Sequence, residues 1–193
     1  AVCGATPVRK QSTHYFFRLS SFSQQLRDWI SSSKHVQEEL KNFVFSWIDS
    51  GLKDWDITRD GPYFGFKIPG EVNLYYYVWL DAPIGYIAAT EKYCKEKLGT
   101  SALTYWKNPS ARIIHFIGKD NIPFHTIIWP SILLGHEGLN LPTDVPANEY
   151  LMLSGEKFSK SRGIGVALGE CLDHFEPDQI RYYLASIMPE TAD

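Results

Sequence analysis

Three short apolar runs constrain this chain more than any other feature: "LYYYVWL" at 74–80, "RIIHFIG" at 112–118 and "YLML" at 150–153. Runs this continuous and β-prone are expected of strands buried on both faces of a parallel sheet. Helical patterns lie between them, from about Pro83 to Lys97 and from about Ile122 to Leu134, with Pro130 positioned to kink the second. Strands alternating with helices predict an α/β fold built on a doubly wound parallel sheet.

Each run breaks off into a motif rich in polar or aromatic groups. The first gives "WLDAPIGY", from Trp79 to Tyr86. The second gives Gly118-Lys119-Asp120-Asn121, then Pro123-Phe124-His125, and the third gives "KFSKSRG", from Lys157 to Gly163. Ligands of open parallel sheets bind outside the carboxyl ends of the strands. Three such motifs on one sheet edge therefore predict a site.

The residue types suggest its chemistry. Lys157 and Lys160, on a glycine-bounded loop, suit closure over a polyphosphate, because lysine is a mobile point charge on a flexible stem. Gly118 lets a nucleotide approach the backbone, and Asp120 can accept hydrogen bonds from ribose hydroxyls. The lesser alternative for Asp120 is a helix N-terminus, where a carboxylate meets the macrodipole. Trp79 and Tyr86, flanking Ala82 and Pro83, can wall a small apolar pocket, although aromatic residues also serve as ordinary core. His125, near the first turn of a helix, reads by itself as a structural histidine.

Upstream, Leu26, Trp29 and Ile30, then Leu40, Val44 and Ile48, recur at helical spacing and predict two helices between about 20 and 50. "DWDITRDGPYFGFKIPG" is loop-rich, with a short strand expected around Tyr63 to Ile68. The tail, "LGECLDHFEPDQIRYYLASI", predicts two helices divided at Glu176-Pro177, with Pro177 in a first turn.

A net charge of −3 excludes a generally basic nucleic-acid binder but leaves room for a local basic patch. The three cysteines, Cys3, Cys94 and Cys171, are far apart, which argues against a disulfide framework and for a reducing compartment. Cys3-Gly4 fits the last ligand of a zinc knuckle, yet no neighbouring Cys or His completes a set of about four. No apolar run is long enough to cross a bilayer and no signal-peptide pattern is visible, so a cytoplasmic protein without membrane contact is expected. The absent initiator methionine and the end straight after a helical pattern suggest a piece of something longer.

These stretches together resemble methionyl-tRNA synthetase, a class I aminoacyl-tRNA synthetase. "KFSKS" resembles the family's lysine-serine loop, usually KMSKS, with Phe158 in the methionine position. "DWDITRDGPYFG" resembles the segment leading from the connective insertion back into the nucleotide-binding fold. "WLDAPIGY" joined to "GKDN-x-x-FH" is the part most particular to methionine. The fold implied is the second half of a Rossmann-like, HUP-type sheet, with an N-terminal helical connective remnant and C-terminal helices. Residues 1–60 would end the insertion, 61–163 would form the catalytic half, and 164–193 would begin the stem-contact region.

Carried over residue by residue, the resemblance implies that Trp79, Ala82, Pro83, Tyr86 and His125 surround the methionine side chain. Gly118, Lys119, Asp120, Lys157, Ser159 and Lys160 would bind ATP, with Lys157 and Lys160 as the catalytic cations and Arg59 near the reacting groups. Asn121 departs from the aliphatic residue of many relatives. The implied partners are methionine, ATP with its Mg2+, and tRNA(Met). Zinc belongs to the full-length protein rather than to this chain. The His-x-Gly-His signature is absent, so these 193 residues alone are expected to be inactive. Two alternatives stay open: a class I synthetase for leucine, isoleucine or valine, and a non-catalytic nucleotide- or tRNA-binding module.

Overall fold

Apolar side chains at helical spacing set α1 (Ser23–Ser32) against α2 (Glu38–Asp49), as the pattern predicts. Leu26 and Ile30 on α1, and Leu40, Val44 and Ile48 on α2, are buried. Each such side chain contributes about 1.5–3 kcal/mol on leaving water. Ile127, Ile128, Val145 and Ala147 join the same core, so the early helices pack directly onto later elements. Glu38 and Glu39 favour the positive end of α2, and Gly51, at φ 86°, turns the chain away after it. The computed structural model describes residues 6, 8–33, 36–159 and 162–189.

β1 (Phe16–Phe17) pairs antiparallel with β2 (Trp55–Asp56), and β3 (Thr58–Asp60) with β4 (Leu74–Tyr76). Tyr75 also bridges to Lys67, so the stretch expected as a strand around 63–68 contributes a single bridge. The run 74–80 departs from expectation. It is a short antiparallel strand that turns at Tyr77 into α3 (Val78–Asp81), followed through Pro83 by α4 (Ile84–Tyr93). A continuous apolar run does not distinguish a strand from a short helical segment, and here it holds both. α4 continues through a wide π-type turn, Cys94–Leu98, before α5 (Leu103–Trp106).

In "RIIHFIG" the residues alternate between faces. Ile113, His115 and Ile117 point inward, while Phe116 is 83% exposed, so the expectation of burial on both faces does not hold. β5 (Ile117–Gly118) pairs in parallel with β6 (Ala147–Asn148), and the Ile114–Asp144 bridge extends the same ladder. The partner strand is masked in the sequence by Pro142 and Pro146, residues usually confined to strand edges. Pro146 supplies only its carbonyl, which accepts from the Ile117 N–H at 3.0 Å. The α/β class stands; parallel pairing among the described residues is confined to this ladder.

"YLML" is not a parallel strand. It enters a hairpin of β7 (Met152–Leu153) and β8 (Glu156–Lys157), with Leu153 opposite Glu156. Ser154 and Gly155 take φ of 54° and 80°, as a two-residue type I′ turn requires. Between β5 and β6 the chain makes a 3-10 turn at Lys119–Asn121, a wide turn at Phe124–Ile128 and then α6 (Trp129–Gly135). The wide turn is how the helix accepts Pro130, which has no N–H to give. Trp129 donates instead to the Phe124 carbonyl, five residues back.

The predicted tail helices are α7 (Leu168–His174) and α8 (Pro177–Ser186), the latter opened by a Glu176–Gln179 capping box. Among the described residues, no helix is long and apolar enough to cross a membrane.

Candidate active site

One turn, Gly118 to His125, joins two chemically different clusters. On its far side, the Trp79 ring stacks on Phe124 at 4.1 Å between centroids and stands edge-on to His125 at 6.4 Å. The Tyr86 hydroxyl lies 2.7 Å from Nε2 of His125, whose Nδ1 lies 3.0 Å from the Asn121 carbonyl. A carbonyl only accepts, so Nδ1 carries the proton and Nε2 accepts from the tyrosine. Burial pushes the His125 pKa down, against the opposing pull of the Asn121 carbonyl, and the ring is neutral near pH 7. Desolvation also raises the Tyr86 pKa.

His115 closes this cluster from β5's upstream side, 4.8 Å from the Tyr86 ring and 5.2 Å from the His125 ring. Burial first, then neighbouring His125, lowers its pKa to about 4. Pro83 is fully buried, whereas Ala82 faces solvent. Trp129, on α6, meets Tyr86 at 6.2 Å.

The near side is charged, with Asp120 and Lys157 exposed and Lys119 and Glu149 partly buried. Asp120 accepts from the Tyr150 hydroxyl through Oδ1 and from Lys157 Nζ, 3.3 Å away, through Oδ2. Lys119 Nζ lies 2.5 Å from Oε2 of Glu149. Both ammonium groups sit by the Tyr150 ring, Lys157 at 3.4 Å and Lys119 at 4.2 Å from its centroid. The Tyr150 hydrogen bond first, then Lys157, holds Asp120 below the usual carboxylate range, while Tyr150 and Asp120 hold Lys157 above the lysine range.

Beyond the hairpin, Ser159 exchanges backbone hydrogen bonds with Ile164, closing the KFSKS loop on itself. Lys160 lies outside the described residues. Gly118 has open space where a Cβ would point. Arg59 sits over the Tyr77 ring at 3.9 Å and pairs with Asp56 at 3.3 Å. Two hollows, of about 850 and 690 Å³, lie elsewhere: one between Trp47, Trp55 and Ile127, the other between the hairpin and α7–α8. Neither is bounded by Trp79, Tyr86, His125 or Lys157, although Pro123 and Phe124 of the turn line the larger one. No group of three or more His, Cys, Asp or Glu side chains that could hold a metal occurs among the described residues.

The three motifs therefore do not follow three strands of one sheet. Only "GKDN" leaves a parallel strand; "WLDAPIGY" opens on helix α3 and "KFSKS" on a hairpin. Side-chain contacts make the convergence instead. Sequence reasoning named Phe124 as part of a motif but gave it no role, and it missed His115, Trp129, Glu149 and Tyr150. The inward alternation of "RIIHFIG" carried the signal for His115, and the four-residue step from His125 carried it for Trp129. Nothing local to Glu149-Tyr150 pointed to Lys119 and Asp120, some thirty positions away.

All of residues 1–193 match the family model described as "tRNA synthetases class I (M)". The methionine–tRNA ligase of Myxococcus xanthus (strain DK1622) is 47% identical over 196 residues; the match takes in 100% of this chain and 28% of that protein. Methionyl-tRNA synthetase of Mycobacterium tuberculosis bound by methionyl-adenylate superposes with a TM-score of 0.75 at 30% identity, over 91% of this chain and 33% of that one. A second structure of that enzyme with methionyl-adenylate gives 0.76 and 31%, with the same coverage.

Proposed function

This chain belongs to the class I tRNA synthetases of the methionine type, and from that premise we propose that it is the second half of the catalytic domain of a cytoplasmic methionine–tRNA ligase. Residues 1–60 then end the connective insertion, 61–163 carry the catalytic half and 164–193 begin the stem-contact region. Methionine, ATP and tRNA(Met) are the substrates of the whole protein, and magnesium enters as the counter-ion of ATP. Zinc would be a ligand of the full-length protein and would not be held by this chain alone.

The observation that carries this reading is the turn from Gly118 to His125, which ties a neutral aromatic cluster to a carboxylate already touched by Lys157. A thioether gains from contact with aromatic rings and makes few hydrogen bonds, so a lining held uncharged by burial suits it. Trp79, Tyr86 and His125 take the methionine side chain, together with buried Pro83 and exposed Ala82. Asp120 accepts from the ribose, and Gly118 leaves space for the adenosine.

In the reaction, a carboxylate oxygen of methionine attacks the α-phosphorus of ATP. The bond from that phosphorus to the β-bridging oxygen breaks, and pyrophosphate leaves with the electron pair. Lys157, with Lys119, Ser159 and Lys160, meets the departing charge, and Arg59 stands near the reacting groups. The terminal adenosine hydroxyl of the tRNA then attacks the methionyl carbonyl, and AMP leaves.

Methionine-dependent ATP–pyrophosphate exchange by the full-length protein tests the reading. Exchange driven by leucine, isoleucine or valine in place of methionine would overturn it. The 193-residue chain alone is expected to give none.

A further inference from the structure

Tyr150 stands where strand β6 gives way to the hairpin that bears Lys157. Its side chain reaches three of the residues assigned to the nucleotide. The phenol donates to Oδ1 of Asp120, and the ring lies within 3.4 Å of Lys157 Nζ and 4.2 Å of Lys119 Nζ. Oδ2 of Asp120, the other oxygen, is taken by Lys157 at 3.3 Å. The adjacent residue, Glu149, pairs with Lys119 at 2.5 Å.

These contacts differ in what a nucleotide does to them. A triphosphate draws Lys157 away from Asp120, because three phosphates outbid one exposed carboxylate. Oδ2 is then open to a ribose hydroxyl, since a carboxylate has about four lone-pair sites and Tyr150 uses one. The phenol on Oδ1 need not move. Without it Asp120, whose side chain is 66% exposed, is free to change rotamer just when its lysine partner departs.

We propose that Tyr150 is a positioning residue for ATP, holding Asp120 toward the ribose through its hydroxyl and steadying Lys157 over its ring. The proposal deepens the function given above and rests on it. It predicts that the two halves of the side chain act on different kinetic constants.

The test compares wild-type full-length protein with Tyr150→Phe and Tyr150→Leu in pyrophosphate exchange, using ATP and 2′-deoxy-ATP. Tyr150→Phe keeps the ring and loses the hydroxyl. KM for ATP should rise roughly fivefold to tenfold with little change in kcat, and the preference for ATP over 2′-deoxy-ATP should shrink by the same factor. Tyr150→Leu also loses the ring, and its kcat should fall a further tenfold or so through Lys157.

An unchanged nucleotide preference in Tyr150→Phe, or equal KM increases for both nucleotides, overturns the role of the hydroxyl. An unchanged kcat in Tyr150→Leu overturns that of the ring. Failure of the underlying reading looks different: wild-type protein would show no methionine-dependent exchange, and Tyr150 would have no nucleotide to position.

Discussion

The aromatic cluster around His125 and the charged cluster around Asp120 share one short turn but follow opposite rules. In the first, rings pack stacked, tilted or edge-on with centroids 4.1–6.4 Å apart, and burial strips charge from His115 and His125. In the second, Lys157 and Asp120 face water while Lys119 and Glu149 are partly covered, and both ammonium groups sit beside the Tyr150 ring. A buried neutral group is fixed by what surrounds it. An exposed ion pair can be exchanged for a ligand at small cost, since such pairs contribute only about 0–1 kcal/mol. Under the function proposed above, the first cluster suits selection and the second suits movement.

Four measurements sharpen or break that contrast. Lys157→Ala in the full-length protein should lower kcat for pyrophosphate exchange about a hundredfold, while its unfolding free energy stays that of wild type. A comparable loss of stability would put Lys157 in the rigid class instead. Trp79→Ala should raise KM for methionine roughly thirtyfold, through lost ring contact and a loosened Phe124, and leave KM for ATP near its original value. Parallel increases in both constants would erase the division of labour.

The pH dependence of stability comes next in size. His115 has a folded pKa of about 4, below its ordinary value of 6.5, so the unfolded chain binds the proton first as pH falls. Its contribution is fully present above pH 6.5 and is lost progressively toward pH 4. Denaturant unfolding should show a decline of about 2 kcal/mol between pH 7 and pH 5. His115→Asn should flatten that slope; an equally steep slope in the variant would show that other groups carry it. The smallest effect belongs to Glu149→Gln, which should cost about 0.5 kcal/mol in low salt and nothing measurable at high ionic strength.

Much of the fold was legible where spacing carries information. α1 and α2 follow from apolar residues three and four apart, and α8 from Glu176, Pro177 and Gln179 at its start. The runs 74–80 and 150–153 were misread because uninterrupted apolar residues have no period to reveal a turn at Tyr77 or a hairpin at Ser154-Gly155. The true partner of 113–118 was hidden by its two prolines, harmless because the N–H groups that this stretch gives to Ile113 come from Thr143 and Asp144, while Pro146 only accepts. For the site, motif residues such as Trp79, Asp120, His125 and Lys157 stood out by type and setting. Tyr150 and Glu149 did not, because their importance lies in distant neighbours.

By itself the sequence determined which chemistries were present: lysines on a glycine-bounded loop, a carboxylate at a helix start, and aromatic groups beside a histidine. It also determined the helices, because local hydrogen bonding and periodic burial are properties of adjacent residues. Only the tertiary structure decided that His115 and His125 are neutral, that Asp120 is shared by Tyr150 and Lys157, and that one parallel ladder unites segments thirty residues apart. Charge state and pairing depend on desolvation and on distances through space, and neither is encoded in any one stretch of chain.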